Sequence, residues 1–514
     1  MNAAESMLRT ARAAGIDLCL ANPGTTEMGL VAALDRVPEL RAVLCLFEGV
    51  CTGAADGYGR MRGAPALTLT HLGPGFANGI ANLHNARRAG TPVVNLIGDQ
   101  ASWHLAADAP LTSDIESLAG PVSGWLRSTT SGDSAARDMA EAIEAAGRTP
   151  GLVSTLIVPA DHALAECDGP RPAPVIAPTP AADATAVVRA ADAIRATQGP
   201  VTLLLGGNAL CERGLRAAGR IAGAGHVRLV AETFPARWER GGGLPDVQRL
   251  PYLPEQATEL LQKDALLVLA GARSPVAFFG YPGLPSLIAP DLARLTLATP
   301  DQEAASALEQ LAEALDAPTA RTGTDAARPG ATPSGALDPG KAGAVLAARL
   351  PEGAIVIDEA ATSGLPFHLA SGGAARHSLL TLTGGAIGQG PPCATGAALA
   401  CPDRPVIDFQ ADGSALYTLQ ALWTQAREGL HVVTLLCSNR AYRILQIELA
   451  RAGVAEPGRS ARALTSLDEP SIDFVALARG YGVPAERVET AEALDAALDR
   501  ALAGAGPTLI ELAL

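Results

Sequence analysis

The sequence predicts an α/β protein of three domains, each built on a mostly parallel sheet flanked by helices. Three observations predict it. The chain has 514 residues, too many for one compact core and enough for about three ordinary domains. Short apolar runs alternate with helical stretches throughout, the rhythm of parallel strands joined by crossover helices. Two segments rich in Pro, Ala, Gly and Thr, 169–185 and 317–340, read as linkers. They leave domains over 1–168, 182–316 and 341–514.

Composition excludes several classes. With 48% hydrophobic and 18% charged residues the chain can bury a large core. Aromatics are only 4%, so Ala, Leu and Val must fill it. A net charge of −14 argues against nucleic acid or an anionic membrane as partner. No apolar run reaches the ~20 residues that span a bilayer. The N-terminus lacks the basic-then-apolar layout of a signal peptide. The eight cysteines stand singly with no CxxC pair, which fits a reducing cytoplasm rather than a zinc or iron–sulfur site.

In the first domain AVLCLF (42–47) reads as a strand, followed by a helix opened by Glu48. APALTLT leads into the loop HLGPG, then a helix, then the strand PVVNLIG. The middle domain has the strands VTLLLGGNAL and ALLVLAGARS, which run into Gly-containing turns. In the third domain AIVIDE, PVIDFQADG and HVVTLLCSN are strands. Ligands of such sheets gather at the carboxyl ends of the strands. The loops after Phe47, Thr70, Gln410 and Cys437 therefore carry the chemistry.

PVIDFQ ends in Ala411-Asp412-Gly413-Ser414. Asp412 offers a hard oxygen ligand, Gly413 allows close approach of an anion, and Ser414 can cap a helix or contact phosphate. The next strand ends in Ser438-Asn439-Arg440-Ala441-Tyr442, with Asn439 placed 27 residues after Asp412. Asn439 and the carbonyl of Ala441 add two more oxygens. Such a set suits Mg²⁺, which takes few protein oxygens plus phosphate. Each loop alone is an ordinary strand-end turn; the pair points to a metal.

ADGS followed by SNRAY resembles the signature of thiamine-diphosphate enzymes. The resemblance implies that Asp412, Asn439 and Ala441 hold Mg²⁺ against the cofactor diphosphate, with Tyr442 beside them. Ala411 stands where the family has a first Gly, and Arg440 where a second Asn or small residue is common. Glu48 and the following AADGYGR resemble the 2-oxo acid decarboxylases and acetolactate synthases. There a Glu bonded to N1′ of the aminopyrimidine promotes loss of the cofactor's C2 proton. The apolar surroundings of Glu48 suit a partly buried carboxylate sharing a proton with a base; helix-dipole stabilisation is the structural alternative.

Asn22-Pro23-Gly24-Thr25 resembles a loop of benzoylformate decarboxylase that places a hydroxyl over the thiazolium, at Thr25 here. His71 matches a His of that enzyme that acts in substrate protonation. Thr362 aligns with a diphosphate-contacting hydroxyl. Gly384, Gly385 and Ile387 resemble the Gly-rich turn lining the cofactor, with Ile387 as the residue that bends it. A second decarboxylase His is absent; Phe278, Phe279 and Gly280 stand there. Leu445 stands where pyruvate decarboxylases have an acid.

The resemblance implies a cytoplasmic homodimer or homotetramer acting on a 2-oxo acid, as an acetolactate synthase-like carboligase or a decarboxylase. The alternatives are a thiamine-dependent lyase or acyl transferase on another substrate, and a non-catalytic cofactor-binding subunit. FAD is compatible with the family, and no specific signal in 182–316 supports it.

Overall fold

The computed structural model describes every residue except 224 and 319–329. The first domain holds β1 (Leu18–Asn22), β2 (Arg41–Leu44), β3 (Ala66–Thr70), β4 (Val93–Asp99), β5 (Trp125–Ser128) and β6 (Val153–Pro159). They form one parallel sheet in the order β2-β1-β3-β4-β6-β5. The middle segment adds β7 (Val201–Leu205), β8 (Val227–Ala231), β9 (Trp238–Arg240), β10 (Gln248–Arg249), β11 (Leu266–Ala270) and β12 (Arg294–Ala298). The third holds β13 (Ala354–Glu359), β14 (His377–Thr381), β15 (Val406–Ala411), β16 (Val432–Ser438), β17 (Ala485–Val488) and β18 (Thr508–Ala513). The middle sheet runs β10-β8-β7-β11-β12 and the third β17-β18-β16-β15-β13-β14-β9.

One strand crosses the expected domain boundary. β9 pairs antiparallel with β14 and closes the edge of the third sheet, although it lies within 182–316. Its Arg240 is buried against His368 of the third domain, to whose Nδ1 and main-chain oxygen it donates. Burial in this seam pulls the Arg240 guanidinium down to about 9 and keeps the His368 imidazole well below its usual range, so the ring accepts in its neutral form. The 169–185 linker carries neither helix nor strand up to the helix that starts at Ala184. Part of the 317–340 linker lies outside the described residues. Among the described residues no helix is long and apolar enough to cross a membrane.

The first and third domains meet through two helices, Glu48–Arg62 and Gly390–Ala400. They touch backbone to backbone. A Cβ on Gly396 would sit 1.8 Å from the Ala54 carbonyl oxygen, and one on Gly57 2.0 Å from that of Cys393. Only glycine permits this approach. The AADGYGR segment supplies the polar part of the same seam. Arg60 forms a buried bidentate pair with Asp56 at 2.6 and 2.9 Å and donates to the Thr381 carbonyl at 2.7 Å. Thr91 donates to Asp56 at 2.6 Å. A buried pair with its remaining donors and acceptors filled holds two domains in one register rather than adding much net stability.

Candidate active site

Four adjacent strands of the third sheet, β16, β15, β13 and β14, end on one edge. Chain order reverses between β13 and β15, which opens a crevice there. The loops at this edge carry Asn439, Asp412, Thr362 and the turn 383–390. Asp412 and Asn439 arrive together. Asp412 accepts from the Gly413 amide at 2.8 Å and from the Arg440 amide at 2.6 Å. Asn439 Oδ1 accepts from the Ala441 amide at 3.0 Å. Arg440 reaches this position at φ 54, the left-handed region that non-glycine residues rarely adopt. Asp412 is 2% exposed, and burial raises its carboxyl above the usual range against the pull of those amides. Three oxygens of the kind a hard cation takes therefore lie on two touching loops. The Tyr442 ring covers Gly413, where a Cβ would come within 2.5 Å of it. Ser414 is buried on the short helix opened by Asp412, and Thr362 lies in a single helical turn, half-buried.

The turn 383–390 is held from below and from the side. Glu359, at the end of β13, accepts from the amides of Gly388 at 2.7 Å, Gln389 at 3.2 Å and Gly390 at 2.6 Å, and from Gln410 Nε2 at 2.9 Å. Burial raises its carboxyl; the four donors oppose that. From the side comes the helix Gly73–Ala89 of the first domain. Asn85 Nδ2 donates to the Ala386 carbonyl at 2.8 Å, and Asn82 Nδ2 is shared between the carbonyls of Gly49 at 2.9 Å and Gly388 at 3.3 Å. His84 Nε2 lies 3.2 Å from the Gly384 carbonyl. Ile387 is half-buried, and Gly385, at φ 75, is exposed.

At the first sheet's edge, β2, β1, β3 and β4 bring together Glu48, Thr25, His71 and Asp99. Glu48 is the first residue of its helix, 8% exposed, and accepts from Asn78 Nδ2 at 3.0 Å. Thr25 is exposed, while its neighbour Thr26 donates to Glu27 at 2.6 Å. His71 Nδ1 lies 2.8 Å from Oε2 of Glu27, which is 0% exposed and also accepts from the Gly24 amide at 2.7 Å. Gly24 is required here, since a Cβ would lie 2.1 Å from the His71 ring. Asp99 is half-buried beside this pair; burial, and then the Glu27 charge, raise its carboxyl.

Sequence reasoning therefore places Glu48, Thr25 and His71 on one edge, and Thr362, Gly384, Gly385, Ile387, Asp412, Gly413, Ser414, Asn439, Ala441 and Tyr442 on the other. It missed Glu27, Glu359 and the Asn78, Asn82, Asn85 row. That row had a signal, since the spacing i, i+4, i+7 puts three amides on one helix face.

The N-terminal TPP binding domain of thiamine pyrophosphate enzymes matches residues 1–118, and their C-terminal TPP binding domain matches 368–512. The chain is 48% identical over 513 residues to a Mycobacterium tuberculosis protein named "Putative acetolactate synthase large subunit IlvX", covering all of this chain and 99% of that one. It is 30% identical over 534 residues to a Pseudomonas aeruginosa benzoylformate decarboxylase, covering 97% and 96% of the two. Among solved structures, a Rhodococcus jostii thiamine diphosphate-dependent 4-hydroxybenzoylformate decarboxylase superposes with a TM-score of 0.86 at 25% identity, over 100% of this chain and 99% of that one.

Proposed function

The chain belongs to the thiamine pyrophosphate enzyme family, and from that premise we propose that it cleaves the bond between the carboxylate and the carbonyl carbon of a 2-oxo acid. Bound thiamine diphosphate supplies the electron-accepting heterocycle that this cleavage needs. The chain's own residues do the rest. Asp412, Asn439 and the Ala441 carbonyl would hold Mg²⁺, and Thr362, Gly413 and Ser414 would line the diphosphate. Ile387 and Gly385 would lie against the bound cofactor. Glu48 would hold a proton at the aminopyrimidine. His71 would supply a proton to the substrate's carbonyl carbon as CO₂ is lost, and Thr25 would hydrogen-bond the substrate.

The observation that carries this reading is the Glu27–His71 pair. A fully buried carboxylate fixes Nδ1 of the ring and leaves Nε2 for proton transfer, the orienting role a carboxylate plays toward a catalytic histidine. A subunit that only bound cofactor would have no use for it. His71→Ala is expected to lower kcat by about 10²–10⁴ and leave cofactor affinity unchanged. The assay incubates a panel of 2-oxo acids with cofactor and Mg²⁺ and scores CO₂, aldehyde and hydroxyketone. Full turnover by the variant on the preferred acid would remove His71 from the mechanism. Carboligation is the second reading, favoured by the name of the 48% identical relative; it would register as hydroxyketone in the same assay.

We also propose that the active form is a homodimer, or a tetramer of dimers, in which Glu48 serves the cofactor held by Asp412 of the partner. Leu46, Tyr417 and Leu445 support this: they flank Glu48, Gly388 and the metal loop and are 42%, 52% and 45% exposed. Apolar side chains around a site call for a covering surface. Light scattering on the active enzyme tests it, and a fully active monomer overturns it.

A further inference from the structure

Beneath the Gly-rich turn lies a row of buried polar groups that no step described above uses. Asp408 and Gln410 stand two residues apart on β15 and so point to the same face. Both are fully buried. Asp408 Oδ2 accepts from Thr434 Oγ1 at 3.4 Å. Gln410 Nε2 donates to Glu359, which also gathers the amides of Gly388, Gln389 and Gly390. The two remaining oxygens, Asp408 Oδ1 and Gln410 Oε1, have no hydrogen-bond partner among the described residues, and the side-chain amide of the adjacent Gln389 bonds to neither. They crowd one point. A Cβ on Gly390 would meet Gln410 Oε1 at 1.9 Å and Asp408 Oδ1 at 2.7 Å, so only the missing side chain there makes room for both.

The chemistry of this row fixes where its proton sits. Glu359 faces four donors, which suits the ionised acid, since that form only accepts. Gln410 must therefore present its NH₂ to Glu359, which leaves its Oε1 for Asp408. An ionised Asp408 would set two acceptors against each other and a second negative charge beside Glu359. A protonated Asp408 donates from Oδ1 to Gln410 Oε1 and satisfies both atoms. Burial, and then the Glu359 charge, push the Asp408 carboxyl well above the usual carboxylate range, in the same direction.

We propose that Asp408 and Gln410 are positioning residues for the cofactor site: Asp408 keeps its proton, donates it in a hydrogen bond to Gln410, and through Gln410 and Glu359 fixes the turn that carries Gly384, Gly385 and Ile387. The proposal rests on the cofactor site described under the proposed function. The titratable groups facing Asp408 are Glu359 from β13 and Cys393 from the helix Gly390–Ala400. Burial pushes the Cys393 thiol up to about 12, and the Arg60 and Asp56 charges of the helix Glu48–Arg62 reach Cys393. From β16 comes only the Thr434 hydroxyl. A carboxyl raised by folding holds in the native state a proton that the unfolded chain releases. Its effect on stability is therefore a loss that grows as pH rises from the ordinary carboxylate range toward the native value. Asp408→Asn removes that loss, because its amide donates to Gln410 at every pH.

The experiment compares the native protein with Asp408→Asn and Asp408→Ala. Thermal midpoints are followed from about pH 5 to about pH 8. The Asp408→Asn midpoint should gain on the native one as pH rises, by about 3 °C or more at the upper end. The infrared spectrum of the native protein should contain the carbonyl stretch of a protonated carboxyl that Asp408→Asn lacks. Thiamine diphosphate affinity, measured by calorimetry with Mg²⁺, should fall about tenfold in Asp408→Ala, which leaves Gln410 Oε1 without a donor. It should return to within about twofold of native in Asp408→Asn. If the alanine variant does not fold, the pH series and the infrared band still decide. Parallel pH dependence of the native and Asp408→Asn proteins, or absence of the band, means an ionised Asp408 joined to Gln410 through water and overturns the proposal. Affinity unchanged in a folded alanine variant, or weakened equally in both variants, overturns the positioning role. Absence of cofactor binding by the native protein overturns the cofactor reading and with it the positioning role, while the proton on Asp408 stands or falls by the pH series.

Discussion

Asp412→Ala is expected to abolish metal-dependent binding of thiamine diphosphate. A diphosphate carries several negative charges and cannot lie beside a carboxylate unless a cation bridges them. Asp412 is the one charged oxygen among the three donors proposed for that cation, the others being the Asn439 amide and the Ala441 carbonyl. Its removal should cost about 10²–10³ in apparent cofactor affinity, the scale of losing one partner of a hydrogen-bonded charge pair. The alanine also strips an acceptor from the Gly413 and Arg440 amides, so a loosened loop could mimic metal loss. Asp412→Asn separates the two effects. It keeps an oxygen for those amides while lacking the charge, and should fold normally yet need far more Mg²⁺. Cofactor affinity is measured by calorimetry with and without chelator. Tight binding by the alanine variant, indifferent to chelator, would overturn the metal assignment.

The parts of the site legible in the sequence are those whose signal is local. Asp412 and Asn439 each end an apolar run, and the strand periodicity places both on one sheet edge. Glu48 follows a run that reads as a strand over 42–47; the ladder with β1 ends at Leu44, and the three residues beyond turn the chain so that Glu48 opens the helix. The parts not legible depend on pairings between distant residues. Glu27 reads as an ordinary acid in the first turn of a helix, and nothing local ties it to His71, 44 residues away. Glu359 stands beside Asp358 in the sequence, but only the fold shows that it collects three successive amides of the Gly-rich turn. β9 is three residues long, too short for any periodicity, and its partner belongs to another domain. Arg440 departs from the family pattern at the loop proposed to hold the metal. The structure shows that its backbone, through the amide bound to Asp412, does the positioning, while its side chain is exposed.

Glu48→Gln should keep the fold and the cofactor yet lose most turnover. Glutamine is nearly isosteric with glutamate, and its amide oxygen can still accept from Asn78, which now holds Oε2 at 3.0 Å. The substitution removes a buried charge and leaves no cavity, so stability should change little. The favourable placement of a carboxylate at a helix N-terminus is the main loss, about 0.3–1 kcal/mol. What glutamine cannot do is share a proton with a basic ring nitrogen. Loss of one general acid–base function lowers rates by about 10²–10⁴. The expected signature is a matching fall in the exchange of the bound cofactor's C2 proton for deuterium, followed by rapid quench and NMR. That measurement isolates the activation step from the choice of substrate and from His71, so a slow variant cannot be blamed on either. A Glu48→Gln protein that binds cofactor normally and exchanges as fast as the native enzyme would make Glu48 a helix-terminus residue only. The proton at the aminopyrimidine would then need another acceptor than this carboxylate.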